Sequence, residues 1–276
     1  MKKYTLLFFS GMLCAIFFGN PINTSQEITQ NHKEKRSKDN IKLLVLIIAS
    51  DDYPVYKELQ KLWRSYMHYD KNHVEAYFIR GDPDLATDCE IHDDVIWTKT
   101  PENLIPGITN KTILSLEAFL PRIKGEFDYI LRTNLSSFYV FPRLLEFLGS
   151  CQKNHFYCGS MILYTPGIAS GCGFLITPDI AEILVQHKSD LVNNTTPNII
   201  EGHEAYDDIV IGALIKNKGI PLIQHPRMDF CTLETWHQHN TIIPENIFQF
   251  RVKSYWDNLR LTDDIYIQSQ LLKMFY

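Results

Sequence analysis

The chain has 276 residues, 45% of them apolar and 12% aromatic, which is enough for a large core and excludes a disordered chain. Its net charge of −5 lacks the broad basic excess of a nucleic-acid-binding domain, so nucleic acid is excluded as the expected partner. With about 40 N-terminal residues set aside, roughly 235 remain, the size of one α/β enzyme domain.

Lys2 and Lys3 precede an apolar run from Tyr4 to Phe18. At about 15 residues the run is short for a membrane span and long enough for the core of a signal peptide. Residues 1–19 are therefore expected to be either a cleaved secretory signal or an uncleaved anchor with its basic end in the cytoplasm. Either way the rest of the chain leaves the cytoplasm. Residues 20–40 are polar, include the run Lys33-Glu34-Lys35-Arg36, and show no apolar periodicity. They read as a stem, with a single α/β domain following over 41–276. Asn-x-Ser/Thr sites at Asn23, Asn110, Asn134, Asn193 and Asn194 permit glycosylation in such a compartment. Of the cysteines, Cys14 lies in the apolar run, and none of the others forms a CxxC pair that would suggest zinc. Cys89, Cys151, Cys158, Cys172 and Cys231 leave two readings open: one or two disulfides, or small buried core residues.

Ile41 to Ala49 is a continuous run of leucine and β-branched residues, a strand buried on both faces. It ends at Ser50-Asp51-Asp52. Tyr56, Leu59, Leu62 and Trp63 share one face of a helix over 56–67. Further strands are expected at 74–79, 94–97 and 129–131, with an amphipathic helix over 112–120. This order, β-α-β-β-α-β, describes a doubly wound α/β sheet. Ligands of such sheets sit outside the carboxyl ends of the strands, which singles out Ser50-Asp51-Asp52 and the segment from Arg132 to Ser137.

In the second half, Gly171 and Gly173 allow close approach of the backbone to a ligand, or a sharp turn. A short strand over 174–176 follows, then a helix with Thr177 as N-cap and Pro178 in its first turn. Asp207 and Asp208 open an apolar helix, where its dipole favours anions. Phe248 to Lys253 reads as a strand that places Arg251 and Lys253 on one face. No Gly-x-Ser-x-Gly elbow, phosphate loop or Gly-x-Gly-x-x-Gly fingerprint is present.

Four segments in order carry a resemblance. Asn110-Lys-Thr-Ile-Leu-Ser-Leu-Glu-Ala-Phe119 resembles the "NLTLKT" helix of the β-1,3-galactosyltransferase and fringe family. Asp128-Tyr-Ile-Leu-Arg-Thr-Asn-Leu-Ser-Ser-Phe-Tyr-Val140 resembles its "YLLKTDDDVFV" strand and loop. Ser170 to Ala181 resembles "CSGGGYVLSRDLA", and Tyr206 to Gly212 resembles "EDVYVG". The resemblance implies a GT-A-type (Rossmann-like) fold: a mixed, mostly parallel sheet flanked by helices. It also implies an inverting glycosyltransferase in the Golgi or endoplasmic reticulum membrane, or secreted, using a nucleotide-sugar donor (a UDP-sugar foremost) and a glycan or glycoprotein acceptor. Asp208 then matches the family's catalytic base, with Asp207 orienting it or holding the acceptor.

The chain departs from the family where an Asp-x-Asp would hold a divalent metal such as Mn²⁺: here the positions read Asn134-Leu135-Ser136. Hard cations prefer carboxylate oxygen, so no metal ligand is assigned; Mn²⁺ stays open as a cofactor, and without it either the diphosphate falls to basic residues or the chain does not catalyse. Arg251 and Lys253 are the first candidates, and Lys111 and Arg132 weaker ones. Asp51 and Asp52 either contact the nucleotide or serve as turn residues. Trp236 and His237 offer an acceptor-binding edge; His225, His237 and His239 lie near where many folds of this kind place a C-terminal metal histidine, or are hydrogen-bonded structural residues. Two other readings stand beside the transferase: a catalytically silent carbohydrate-binding or partner domain of the same fold, and an unrelated α/β hydrolase using Asp51, Asp52 and histidines.

Overall fold

The computed structural model describes residues 41–162, 165–192 and 206–276. The segments 1–19 and 20–40, and the sites at Asn23, Asn193 and Asn194, lie outside the described residues.

The first strand, β1 (Leu43–Ile48), is buried along its whole length. Alternate residues face two cores, as a doubly covered strand requires. Leu43, Val45 and Ile47 pack with Leu59 and Trp63 of α1 (Pro54–Tyr66). Leu44, Leu46 and Ile48 pack with Leu116 and Phe119 of α2 (Gly107–Glu126). β2 (Val74–Gly81), β4 (Val95–Thr98) and β5 (Tyr129–Asn134) follow as expected, with β3 (Cys89–His92) added as an antiparallel edge hairpin on β4. Helix α2 runs through Pro121, past the boundary expected one residue before it. Beyond the proline, buried Ile123 and the Arg122–Glu75 pair (2.7 Å) hold the last turns to the sheet.

After β6 (Ser137–Tyr139) and α3 (Phe141–Leu148), β7 (Tyr157–Met161) and β8 (Ala169–Ile176) form a hairpin. The glycine-rich segment is thus strand rather than turn. Gly173 lies under a tight contact: a Cβ there would stand 1.9 Å from Tyr139 Oη. Thr177 sits at the N-cap of α4 (Pro178–Gln186), but its hydroxyl accepts from Phe156 N (3.1 Å) instead of capping the helix. α5 (Lys188–Val192), α6 (Asp207–Asn217), β9 (Leu222–Gln224), β10 (Met228–Phe230), α7 (Leu233–His239), β11 (Gln249–Val252) and α8 (Arg260–Phe275) complete the chain.

The main sheet has the order β3-β4-β2-β1-β5-β8-β7-β9, with only β3 and β8 running against the rest. A smaller sheet, β10-β11-β6, packs on the α1 side, where Phe230, Phe250 and Phe138 join the core of Trp63 and Tyr66. This is the mixed, mostly parallel, helix-flanked α/β architecture expected of a GT-A-type domain. The five described cysteines form no disulfide with one another, and Cys158, Cys172 and Cys231 are buried, as the core-packing reading expects, while Cys89 and Cys151 are half-buried. Among the described residues, no helix is long and apolar enough to cross a membrane.

Candidate functional site at the carboxyl edge

Strand order reverses at β1: the chain steps outward to β2 on one side and β5 on the other. Ile48 pairs with Asn134, so Ser50-Asp51-Asp52 and Asn134-Leu135-Ser136 leave the sheet side by side at the switch point. β8 runs antiparallel, with Thr133 opposite Gly173, which brings Gly171 up to the same edge.

Asp208 meets this edge from the first turn of α6. Its Oδ2 accepts from Gly171 N at 2.7 Å and its Oδ1 from Ile209 N at 3.0 Å. A Cβ on residue 171 would stand 3.0 Å from that Oδ2, so any larger residue there would push on the Asp208 carboxylate. Asp208 is half-buried, and each oxygen keeps a second lone pair. Asp207 has a different setting. It is buried and ion-paired with the equally buried Arg132, which also donates to Gly171 O. Burial raises the Asp207 carboxyl to about 6, against the pull of Arg132 and with a further push from Asp208. Asp207 therefore suits orienting its neighbour and not holding an acceptor. Arg132, spent on Asp207, is corrected from donor-binding cation to structural ion.

The turn itself is closed in on both sides. Asn134 Nδ2 donates to Gly171 O (3.1 Å) and its Oδ1 accepts from Ser136 N (3.0 Å). Ser136 O accepts from Val252 N (2.7 Å), and Ser136 Oγ accepts from Arg260 Nη2 (3.0 Å). These atoms do not fit a manganese ion: the amide oxygen is turned into its own loop and the hydroxyl faces a guanidinium. Among the described residues, no group of three His, Cys, Asp or Glu side chains is placed to hold a metal.

Across the turn lie cations. Arg251 pairs in register with Ser137, and Lys253 follows one residue past the end of β11. Partial desolvation and the charges of Arg260 and Arg251 lower the pKa of the Lys253 ammonium. Asp229 is shared: Arg227 holds it at 2.5 and 2.9 Å, and Arg251 stands 3.9 Å away. Arg227 also donates to Cys172 Sγ. Arg227 and Arg260 were missed in the sequence. The one available signal was Arg260-x-x-x-Asp264, a helical i,i+4 ion pair at 2.9 Å.

The remaining candidates are placed elsewhere. Asp51 forms a two-bond pair with Arg80, both at 2.8 Å, and accepts from Gln60, while Asp52 is exposed beside it. Both are at the edge, and Asp51 is committed to Arg80. Lys111 is buried on Glu102 (2.7 Å) and Ala49 O (3.1 Å), and burial lowers its pKa. Gly173 is corrected to a packing position beneath the edge. Trp236 is corrected likewise: it is buried, edge-on to Phe230 with ring centroids 5.1 Å apart, and offers no face to a sugar. His237 is exposed near Tyr266. His225 is buried against Phe248, with Phe147 further off, and burial lowers it to about 4.

Fold and geometry together define an α/β domain with a charged edge at the switch point. No family model matches the chain, that of the β-1,3-galactosyltransferases and fringe proteins included, and no curated protein matches it. Among solved structures, it is similar to a glycosyltransferase involved in the glycosylation of the major capsid of PBCV-1, at 11% identity and a TM-score of 0.48 over 83% of this chain and 99% of that one. It is also similar to the glycosyltransferase GlyE of Streptococcus pneumoniae TIGR4, at 11% identity and a TM-score of 0.41 over 85% of this chain and 64% of that one. Likenesses of this size transfer neither activity nor substrate.

Proposed function

We propose that the chain is an inverting glycosyltransferase that moves a sugar from a nucleotide-sugar, a UDP-sugar foremost, to a hydroxyl of a glycan or glycoprotein. The observation that carries this reading is the pairing of a half-buried carboxylate, Asp208, with a strip of cations across the Asn134–Ser136 turn. The acceptor oxygen attacks the anomeric carbon and gives its proton to Asp208. The bond from that carbon to the diphosphate oxygen breaks, and the electron pair leaves with the diphosphate. Arg251 and Lys253 offset the charge that develops there. Asp207 and Arg132 fix the start of α6 and the Gly171 carbonyl, and so the direction of Asp208. Residues 1–19 would carry the domain into the secretory pathway, as an anchor or a cleaved signal.

The test is a panel of UDP-, GDP- and CMP-sugars assayed for hydrolysis and transfer, with manganese and with a chelator. Turnover that disappears in Asp208→Asn supports the reading. Nucleotide binding with no turnover would favour the silent carbohydrate-binding domain. Absence of nucleotide binding would remove both.

A further inference from the structure

The chain has four tryptophans. Trp63 and Trp236 are buried in the core, and Trp97 is half-buried with the Arg80 guanidinium 5.4 Å from its ring centre. Trp256 differs: it is 64% exposed, and its ring meets no other aromatic ring or guanidinium among the described residues. Its place is nonetheless fixed. Val252 N donates to Ser136 O at 2.7 Å and Arg260 Nη2 donates to Ser136 Oγ at 3.0 Å, so the segment between them leaves and returns at one serine of the Asn134–Ser136 turn. Trp256 is four residues from each anchor, which holds its Cα within about 14 Å of either. Inside the segment, Ser254 N donates to Asp264 (2.7 Å), Tyr255 N to Cys231 O (3.3 Å) and Leu259 N to Trp256 O (2.9 Å). The backbone is therefore tied down while the side chains from Tyr255 to Leu259 all stand exposed. An indole left in water on an ordered backbone forgoes the burial that Trp63 and Trp236 receive. From the same turn Asn134 reaches Gly171 O, and Gly171 N reaches Asp208 (2.7 Å), so this loop and that carboxylate border one edge.

We propose that Trp256, with Asp257 and Asn258, is the platform for the acceptor glycan: a pyranose ring rests its apolar C–H face on the indole, and its hydroxyls bond to the carboxylate and amide that follow. The inference rests on the sugar-transfer reading for the role of the bound glycan, though glycan binding itself is measured apart from it. The residue types decide the occupant. A pyranose carries C–H groups on its faces and hydroxyls on its rim, so it needs an apolar plane beside hydrogen-bonding groups. Trp256 is the plane, the Asp257 carboxylate accepts, and the Asn258 amide both donates and accepts. A nucleobase would stack on the same plane, but it arrives carrying a diphosphate, which the exposed carboxylate next to the indole repels. The platform also supplies the acceptor edge that buried Trp236 does not.

The experiment applies the full chain to an array of immobilised oligosaccharides, then titrates the best-bound oligosaccharide by calorimetry, with UDP titrated in parallel. Trp256→Ala is expected to weaken glycan binding about tenfold or more, and Trp256→Phe to keep most of it, since an aromatic plane remains. UDP affinity should be the same in all three chains. Because the indole lies outside the core, both variants should melt with the native chain, which separates lost binding from lost folding. A native chain that binds no glycan, or equal glycan affinity in the native chain and Trp256→Ala, overturns the platform; sugar-nucleotide turnover that disappears in Asp208→Asn would still carry the transferase reading. UDP affinity that falls in Trp256→Ala also overturns it and makes the indole a base-stacking residue. Glycan binding lost in Trp256→Ala, with no turnover of any sugar nucleotide, retains the platform and removes the transferase reading in favour of a carbohydrate-binding domain.

Discussion

Asp207 and Asp208 follow one another in the chain, yet one is buried against Arg132 and the other is half-buried against the Gly171 amide. On the proposed sugar-transfer reading, the second is the one that receives the proton of the incoming hydroxyl. Asp208→Asn keeps the shape and one acceptor oxygen but removes the base. Steady-state kinetics should show transfer lowered roughly a hundred- to ten-thousand-fold, with UDP affinity held. Trp236 gives the opposite result. Its indole fills the core beside Phe230, so Trp236→Ala should cost about 3–5 kcal/mol of unfolding free energy in a urea titration. A change in acceptor KM with unchanged stability would contradict that placement. The residue scale was only partly legible in sequence. Adjacent carboxylates at the start of an apolar helix drew attention to 207 and 208, but nothing local said which of them would meet an arginine 75 positions away.

Among the elements, the link from β9 to β10 carries a titration that can be measured. His225 packs on Phe248, and burial, with the Arg227 charge, lowers it from 6.5 to about 4. Between those pH values the unfolded chain holds a proton that the folded chain lacks. Its contribution is therefore present above 6.5 and is lost as pH falls through about 4, amounting to about 3 kcal/mol in full. Asp207 acts in the other sense, because its carboxyl is raised from 3.8 to about 6. The folded chain holds that proton, and stability falls as pH rises across the interval. In the native protein the two slopes oppose. His225→Phe removes one, so its unfolding free energy should fall between pH 4 and pH 6, where the native value is comparatively flat. Parallel curves for the two proteins would show that His225 titrates normally. At this scale periodicity located most strands and helices. The runs it misplaced are those that tertiary contacts extend: α2 through Pro121, and β8 back through its glycines to Ala169.

For the whole molecule, both faces of the main sheet are covered by residues from 41 onward. A chain of residues 41–276 should therefore fold alone and melt within a few degrees of the full-length protein. A broad, non-cooperative transition would show that the preceding residues belong to the domain. What the sequence determined by itself was the class of architecture. A continuous Leu, Val and Ile strand can be satisfied only by cover on two sides, and the β-α order then requires a largely parallel sheet, whose carboxyl edge is the place to look for a ligand. The loss of Asp-x-Asp at Asn134-Leu135-Ser136 was also plain there. What only the tertiary structure decided was how charge is distributed at that edge. Arg132 is taken by Asp207, Asp51 by Arg80, and Arg260 arrives on Ser136 from 124 residues away. Ion pairing depends on distances of a few ångströms between side chains that share no periodicity, and such distances exist only once the sheet and the C-terminal helix have come together.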